Sequence, residues 1–129
     1  MKWKYFITSS SDNSDSFASR FGWGSRIPLL TRVIPAGSMK TEILSKSLID
    51  VSQPNLLLVN ARPTESGDGI TLHLRETEGG HAILDVNKLI SQTGASSISE
   101  VTILDDEIKV LNGPLLFEHY ETKFIEIKM

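Results

Sequence analysis

Three histidines, His73, His81 and His119, supply all the imidazoles of this 129-residue chain. Alternation along the sequence places His73 and His81 on paired strands, with a parity that brings them toward Arg75 and Asp85 on one face. Such a group is either a polar patch or a pair of metal ligands. Neither a helical His-x-x-x-His nor a zinc-site spacing accompanies it, so outward-facing strand histidines are the simpler reading. Asp105-Asp106-Glu107 gathers the hard oxygens that calcium prefers. Without an EF-hand pattern it reads as a charged turn that discourages edge pairing, and Asp12 with Asp15 reads the same way. A glycosidase carboxylate pair assembles only in three dimensions, and no Asp or Glu here lies in a recognisable motif. There is no Gly-x-Ser-x-Gly elbow. Gly22-Trp23-Gly24 and Gly67-Asp68-Gly69 read as turns, since both lack the strand–glycine–helix context and the lysine of a phosphate loop.

Composition removes further chemistries. With no cysteine, thiolate nucleophiles, zinc ribbons, disulfide frameworks and CxxC redox sites are excluded. A net charge of −3 gives no basic surface for phosphates, so no nucleic-acid partner is expected. The apolar run Leu56-Leu57-Leu58-Val59 is far shorter than the roughly 20 residues that cross a bilayer, so no membrane role is expected. The N-terminus turns polar at Thr8 and lacks the apolar core of a signal peptide, which makes the protein cytoplasmic if the chain is complete. Aromatic residues are 7% of the chain. Trp3, Tyr5, Phe6, Phe17, Phe21 and Trp23 crowd the first quarter, and Phe117, Tyr120 and Phe124 lie near the end. The two groups read as packing against each other rather than as a stacking platform for sugars.

The elements that would position these residues are mostly strands. Lys2–Thr8 alternates with period two. Phe17, Ala18 and Phe21 fit one side of a short helix capped from Asp12–Asp15 and ending at Gly22 or Gly24. Pro28–Ile34 reads as extended, closed by Pro35-Ala36-Gly37, and Ser47–Val51 as a weak strand. Asn55–Ala61 is a continuous apolar run suited to a strand buried on both faces. Ile70, Leu72 and Leu74 alternate cleanly with Thr71, His73 and Arg75. Thr77-Glu78-Gly79-Gly80 then reads as a hairpin connection to His81–Val86, with Ala82, Leu84 and Val86 on one face. Val101–Leu104, Ile108–Leu111 and Tyr120–Lys128 complete the set, the last with Ile125 and Ile127 inward. The expected fold is an all-β antiparallel sandwich with at most one or two short helices, as a single domain over 1–129.

A family resemblance adds to this reading. Trp3-Lys4-Tyr5-Phe6-Ile7-Thr8-Ser9, Phe17-Ala18 through Gly22-Trp23, and Pro28-Leu29 look like the start of the C-terminal β domain of glycoside hydrolase family 38, the α-mannosidases. Asn55-Leu56-Leu57-Leu58, Arg62-Pro63, Gly67-Asp68-Gly69-Ile70, Leu72-His73-Leu74-Arg75-Glu76, Gly79 and Ala82 resemble that family's apolar strand, glycine-bearing charged loop and Leu-x-Leu-Arg hairpin. Leu115-Leu116 and Tyr120 through Ile127 are similar to its final strand.

The resemblance implies a non-catalytic accessory sandwich, a C-terminal fragment of a larger hydrolase, packed on a catalytic domain that holds an Asp nucleophile and a zinc ion. None of those catalytic motifs occurs in this chain, so no catalytic residue, metal ligand or cofactor is carried over. In some members the domain lends residues to the rim of the sugar cleft. Arg62, at the end of the apolar strand, is the first candidate here, followed by Asn60 and Arg75. Neighbouring domains would cover some of the surface, so the isolated fragment is expected to expose an apolar patch and to dimerise through it. The alternatives are a self-standing carbohydrate-binding module and a protein-interaction sandwich unconnected with sugars.

Overall fold

A computed structural model of the chain describes residues 3–26, 47–51 and 53–129. Two units are distinguished, Met1–Ser47 and Leu48–Met129.

In the first unit, the alternating segment from Trp3 forms no strand, and Trp3, Tyr5, Phe6 and Ile7 are exposed. Alternation becomes a strand only where a neighbour takes up the backbone N–H and C=O groups, and this segment has no place in either sheet. The helix does form, as α1 (Asp15–Arg26). Its cap is Ser14, whose Oγ accepts the Phe17 N–H at 3.1 Å, while Asp12 Oδ1 accepts the Ser14 N–H at 2.9 Å. Gly22-Trp23-Gly24 lies inside this helix and is not a turn. Neither glycine adopts a positive φ, so the backbone continues through both. The extended segment expected over 28–34, with its closing Pro35-Ala36-Gly37, lies outside the described residues.

In the second unit, seven strands build an all-β, sandwich-like fold of antiparallel sheets. They are β1 (Leu56–Pro63), β2 (Gly69–Glu76), β3 (Ala82–Leu84), β4 (Ser97–Val101), β5 (Glu107–Val110), β6 (Leu115–Phe117) and β7 (Thr122–Lys128). The larger sheet runs β1-β2-β7-β4-β5, and β3 pairs with β6 in a second, two-stranded sheet. Leu72 and Leu74 from β2 and Ile125 and Ile127 from β7 are fully buried, as their alternation requires. With Leu84, Val86, Leu89, Ile98 and Phe117 they belong to one apolar core.

Several expectations are corrected. Ser47–Val51 is not a strand, although Ile49 and Val51 still pack on the core. The apolar run of β1 occupies an edge of the sheet, and only Leu56 within it is buried. An apolar composition does not distinguish a central strand from an edge strand whose side chains are half-covered. Thr77–Gly80 is a corner between the two sheets and not a hairpin, because β2 takes β1 and β7 as neighbours. The strand expected from Val101 lies earlier, as β4, and Ile103 and Leu104 are exposed in the turn that follows. Helix α2 (Val86–Thr93) forms where the sequence reading places no helix. Its signals are Asp85, whose side chain accepts the Lys88 N–H, and Gly94, left-handed at φ 72°. Among the described residues, no helix is long and apolar enough to cross a membrane.

Candidate functional site

A β-bulge decides where the polar side chains of β1 go. The ladder runs Leu58↔Leu74 and then jumps to Asn60↔His73 and Arg62↔Thr71, leaving Val59 as the extra residue. Without that bulge, Val59 would pair with His73, and Asn60 would stand opposite Leu72 and share its core-facing side. With it, Asn60 and Arg62 join Thr71 and His73 on the other face. There they line a shallow groove of about 220 Å³ with Phe124 and Ile103. Two of the three rim candidates therefore come together. Arg75 is exposed further along β2, opposite Leu57 and Thr122, and lies outside this groove.

Arg62 is already engaged. Its Nη1 and Nη2 donate to the two oxygens of Asp105 at 2.8 and 2.7 Å, and Nη2 also donates to the Ile103 carbonyl at 3.3 Å. Thr71 Oγ1 donates to Asp105 at 3.1 Å. Asp105 sits at φ +67°, a conformation that Asp tolerates better than most residues. The acidic run is thus a turn whose members face different partners: Asp105 takes Arg62, and Glu107 accepts the Ser99 hydroxyl at 2.9 Å. His73 stacks on Phe124 with ring centroids 4.6 Å apart. Burial, together with the Arg75 charge, lowers its pKa, so its imidazole is neutral at pH 7. The groove thus offers Asn60, a neutral His73 and an aromatic edge, beside an arginine already paired with a carboxylate.

His73 and His81 do not meet. His81 lies at the corner between the sheets, just before β3, and Asp85 caps α2. The ladder Ala82↔Phe117 places His81 next to Glu118 across the end of the two-stranded sheet. His81 Nδ1 is 3.0 Å from Glu118 Oε2, and the His81 and His119 ring centroids are 4.6 Å apart. One potential ligand atom from each of His81, Glu118 and His119 lies within 4.8 Å of the others, and all three residues are exposed. Nothing in sequence spacing pairs His81 with His119. The signal lay in a strand, β6, that short apolar Leu115–Phe117 did not reveal.

Beneath this corner is Glu76, with 0% of its surface exposed. It accepts hydrogen bonds from Asn55 Nδ2 at 3.0 Å, from the backbone N–H of Glu78 at 2.9 Å, of Gly79 at 2.8 Å and of Tyr120 at 2.9 Å. Burial alone would raise the carboxyl pKa. The hydrogen bonds to the anion outweigh it and hold the pKa at about 2. One buried anion therefore ties the β2–β3 corner to the turn before β7.

No protein-family model and no curated protein matches this chain.

Functional readings consequently rest on the residues themselves. Among the described residues, two polar sites stand out: the groove on the outer face of the larger sheet, and the histidine corner at the end of the smaller one. The first has a neutral base and hydrogen-bonding groups but no paired carboxylates in its lining. It can orient a polar ligand or a partner surface. The second offers two imidazoles and a carboxylate to one point in space.

Proposed function

We propose that this chain is a non-catalytic accessory β-sandwich of an α-mannosidase-like glycoside hydrolase, docked on the catalytic domain and standing at the rim of its carbohydrate cleft. The resemblance in Asn55–Ala82 supports the family reading. The observation that carries the docking role is the outer edge of the larger sheet. All four residues of β5 are exposed, with Ile108 and Val110 among them, and the preceding turn leaves Ile103 and Leu104 exposed by 66% and 78%. An exposed edge strand carrying apolar side chains is a template for association, which proteins normally blunt with charge, proline or a covering element. Here the covering element is the catalytic domain, and in its place the isolated chain pairs through this edge into a dimer. The groove of Asn60, His73 and Phe124 lies on the adjoining face, where a sugar rim would be met. The same apolar edge favours an interaction role over that of a self-standing carbohydrate-binding module.

Two measurements test the reading. The isolated chain gives no turnover of aryl α-mannosides with or without added zinc; turnover would overturn it. In size-exclusion chromatography the chain co-elutes with the catalytic domain from its own reading frame, and the Ile108→Lys, Val110→Lys double variant does not. Failure of the wild-type chain to co-elute sinks the docking role, and saturable quenching of Trp3 and Trp23 fluorescence by mannose oligosaccharides would assign the module instead.

A further inference from the structure

We propose that His81, Glu118 and His119 form a three-ligand site for a divalent cation of the zinc class. This inference is independent of the hydrolase reading. The three ligand atoms lie within 4.8 Å of one another. Ligands of a tetrahedral zinc at roughly 2.0–2.2 Å are separated by about 3.3 Å, so closure requires each exposed side chain to move by about an ångström. The chemistry of the set is selective. Two imidazoles and one carboxylate suit zinc and its first-row neighbours, whereas calcium and magnesium prefer oxygen alone. Three protein ligands also leave a coordination position for water or for a donor from a bound molecule.

The supporting shell is already in place. His119 Nδ1 faces the Gly79 carbonyl oxygen, which can only accept, so this nitrogen carries the proton and Nε2 is left to bind metal. His81 and Glu118 are set side by side by the register of the two-stranded sheet. The two loops that carry the histidines are held together by the hydrogen bonds of Gly79 and Tyr120 to the Glu76 carboxylate. Gly79 and Tyr120 both have positive φ, +69° and +54°. The backbone under the site is therefore fixed by a buried network, and only the ligand side chains need to adjust. The buried Glu76 anion also adds to the attraction for a cation.

The test uses the full, untagged chain titrated with Zn²⁺ by calorimetry, with Co²⁺ absorption as a second readout. The expected result is one ion per chain, with binding weakened at least tenfold by His81→Ala and by His119→Ala. His73→Ala, outside the site, leaves it unchanged. Circular dichroism and melting of the metal-free His81→Ala and His119→Ala variants match the wild type, because both replaced side chains are exposed. No saturable binding by the wild-type chain would overturn the proposal. So would binding that survives His119→Ala, or that falls equally with His73→Ala.

Discussion

Arg62 and Asp105, 43 residues apart in sequence, meet through two parallel hydrogen bonds of 2.8 and 2.7 Å. The pair joins the edge strand β1 to the turn between β4 and β5, which are separated from it in the sheet by β2 and β7. It thereby crosses the outer face of the sheet and closes one side of the groove. The Arg62 side chain is 39% exposed and that of Asp105 15%, so solvent screens part of the attraction, while the bidentate geometry recovers some of it.

Replacing either partner is expected to destabilise the fold by about 1 kcal/mol, and a double-mutant cycle to give a coupling of similar size that shrinks in high salt. Urea titrations of Arg62→Ala, Asp105→Asn and the double variant measure this. Additive single effects would mean that the pair contributes nothing beyond its separate side chains.

Glu76 makes stability depend on acid. Its folded pKa of about 2 lies below the ordinary 4.5, so the unfolded chain takes up this proton first as the pH drops. Its contribution is fully present above pH 4.5 and is lost as the pH falls toward 2. Glu76→Gln removes the charge and turns an amide donor toward backbone N–H groups, at a cost of about 2–3 kcal/mol near neutral pH. The difference between wild type and variant, followed by chemical denaturation at a series of pH values, should narrow steadily between pH 4.5 and 2. A gap that stays constant across that range would place the stabilisation elsewhere.

Gly69 opens β2 against the backbone of β7. A Cβ at this position would run into the Ile127 carbonyl oxygen, whereas one at Gly113 meets nothing within 4 Å. Gly69→Ala should therefore cost roughly 1–3 kcal/mol by forcing the strands apart, while Gly113→Ala stays within about 0.5 kcal/mol of wild type. Thermal melts of the two variants side by side decide this, and equal melting temperatures would contradict it.

The sequence was readable where periodicity and burial coincide. Leu72, Leu74, Ile125 and Ile127 alternate because both of their strands sit inside the sheet with one face on the core, and all four are buried as expected. It misled where local pattern needs a distant partner. Trp3, Tyr5 and Ile7 alternate as well, yet among the described residues no strand pairs with them, and they are exposed. The candidate groove is partly legible: Arg62 and Asn60 stand out in the sequence, but the Val59 bulge that turns both to the outer face, beside Thr71 and His73, cannot be seen in the alternation itself. Asp105 reads in the sequence as one member of a charged turn, and nothing local links it to Arg62. The histidine corner was hidden for the same reason, since His81 and His119 are brought together by the pairing of β3 with β6, both only three residues long.

Strand β7 carries Thr122–Lys128 yet lies third of five in the larger sheet, between β2 and β4. The β1–β2 hairpin and the β4–β5 hairpin have no direct ladder to each other, and the sheet joins them only through the backbone ladders of this late segment. As a ribosome releases the chain from its N-terminal side, each hairpin emerges with an unsatisfied border and waits for these seven residues. Joining them means closing long loops before any reward is gained, which slows folding and exposes sticky borders to neighbouring nascent chains. Shortening the protein by this one segment would leave two separate ribbons where there had been a sheet.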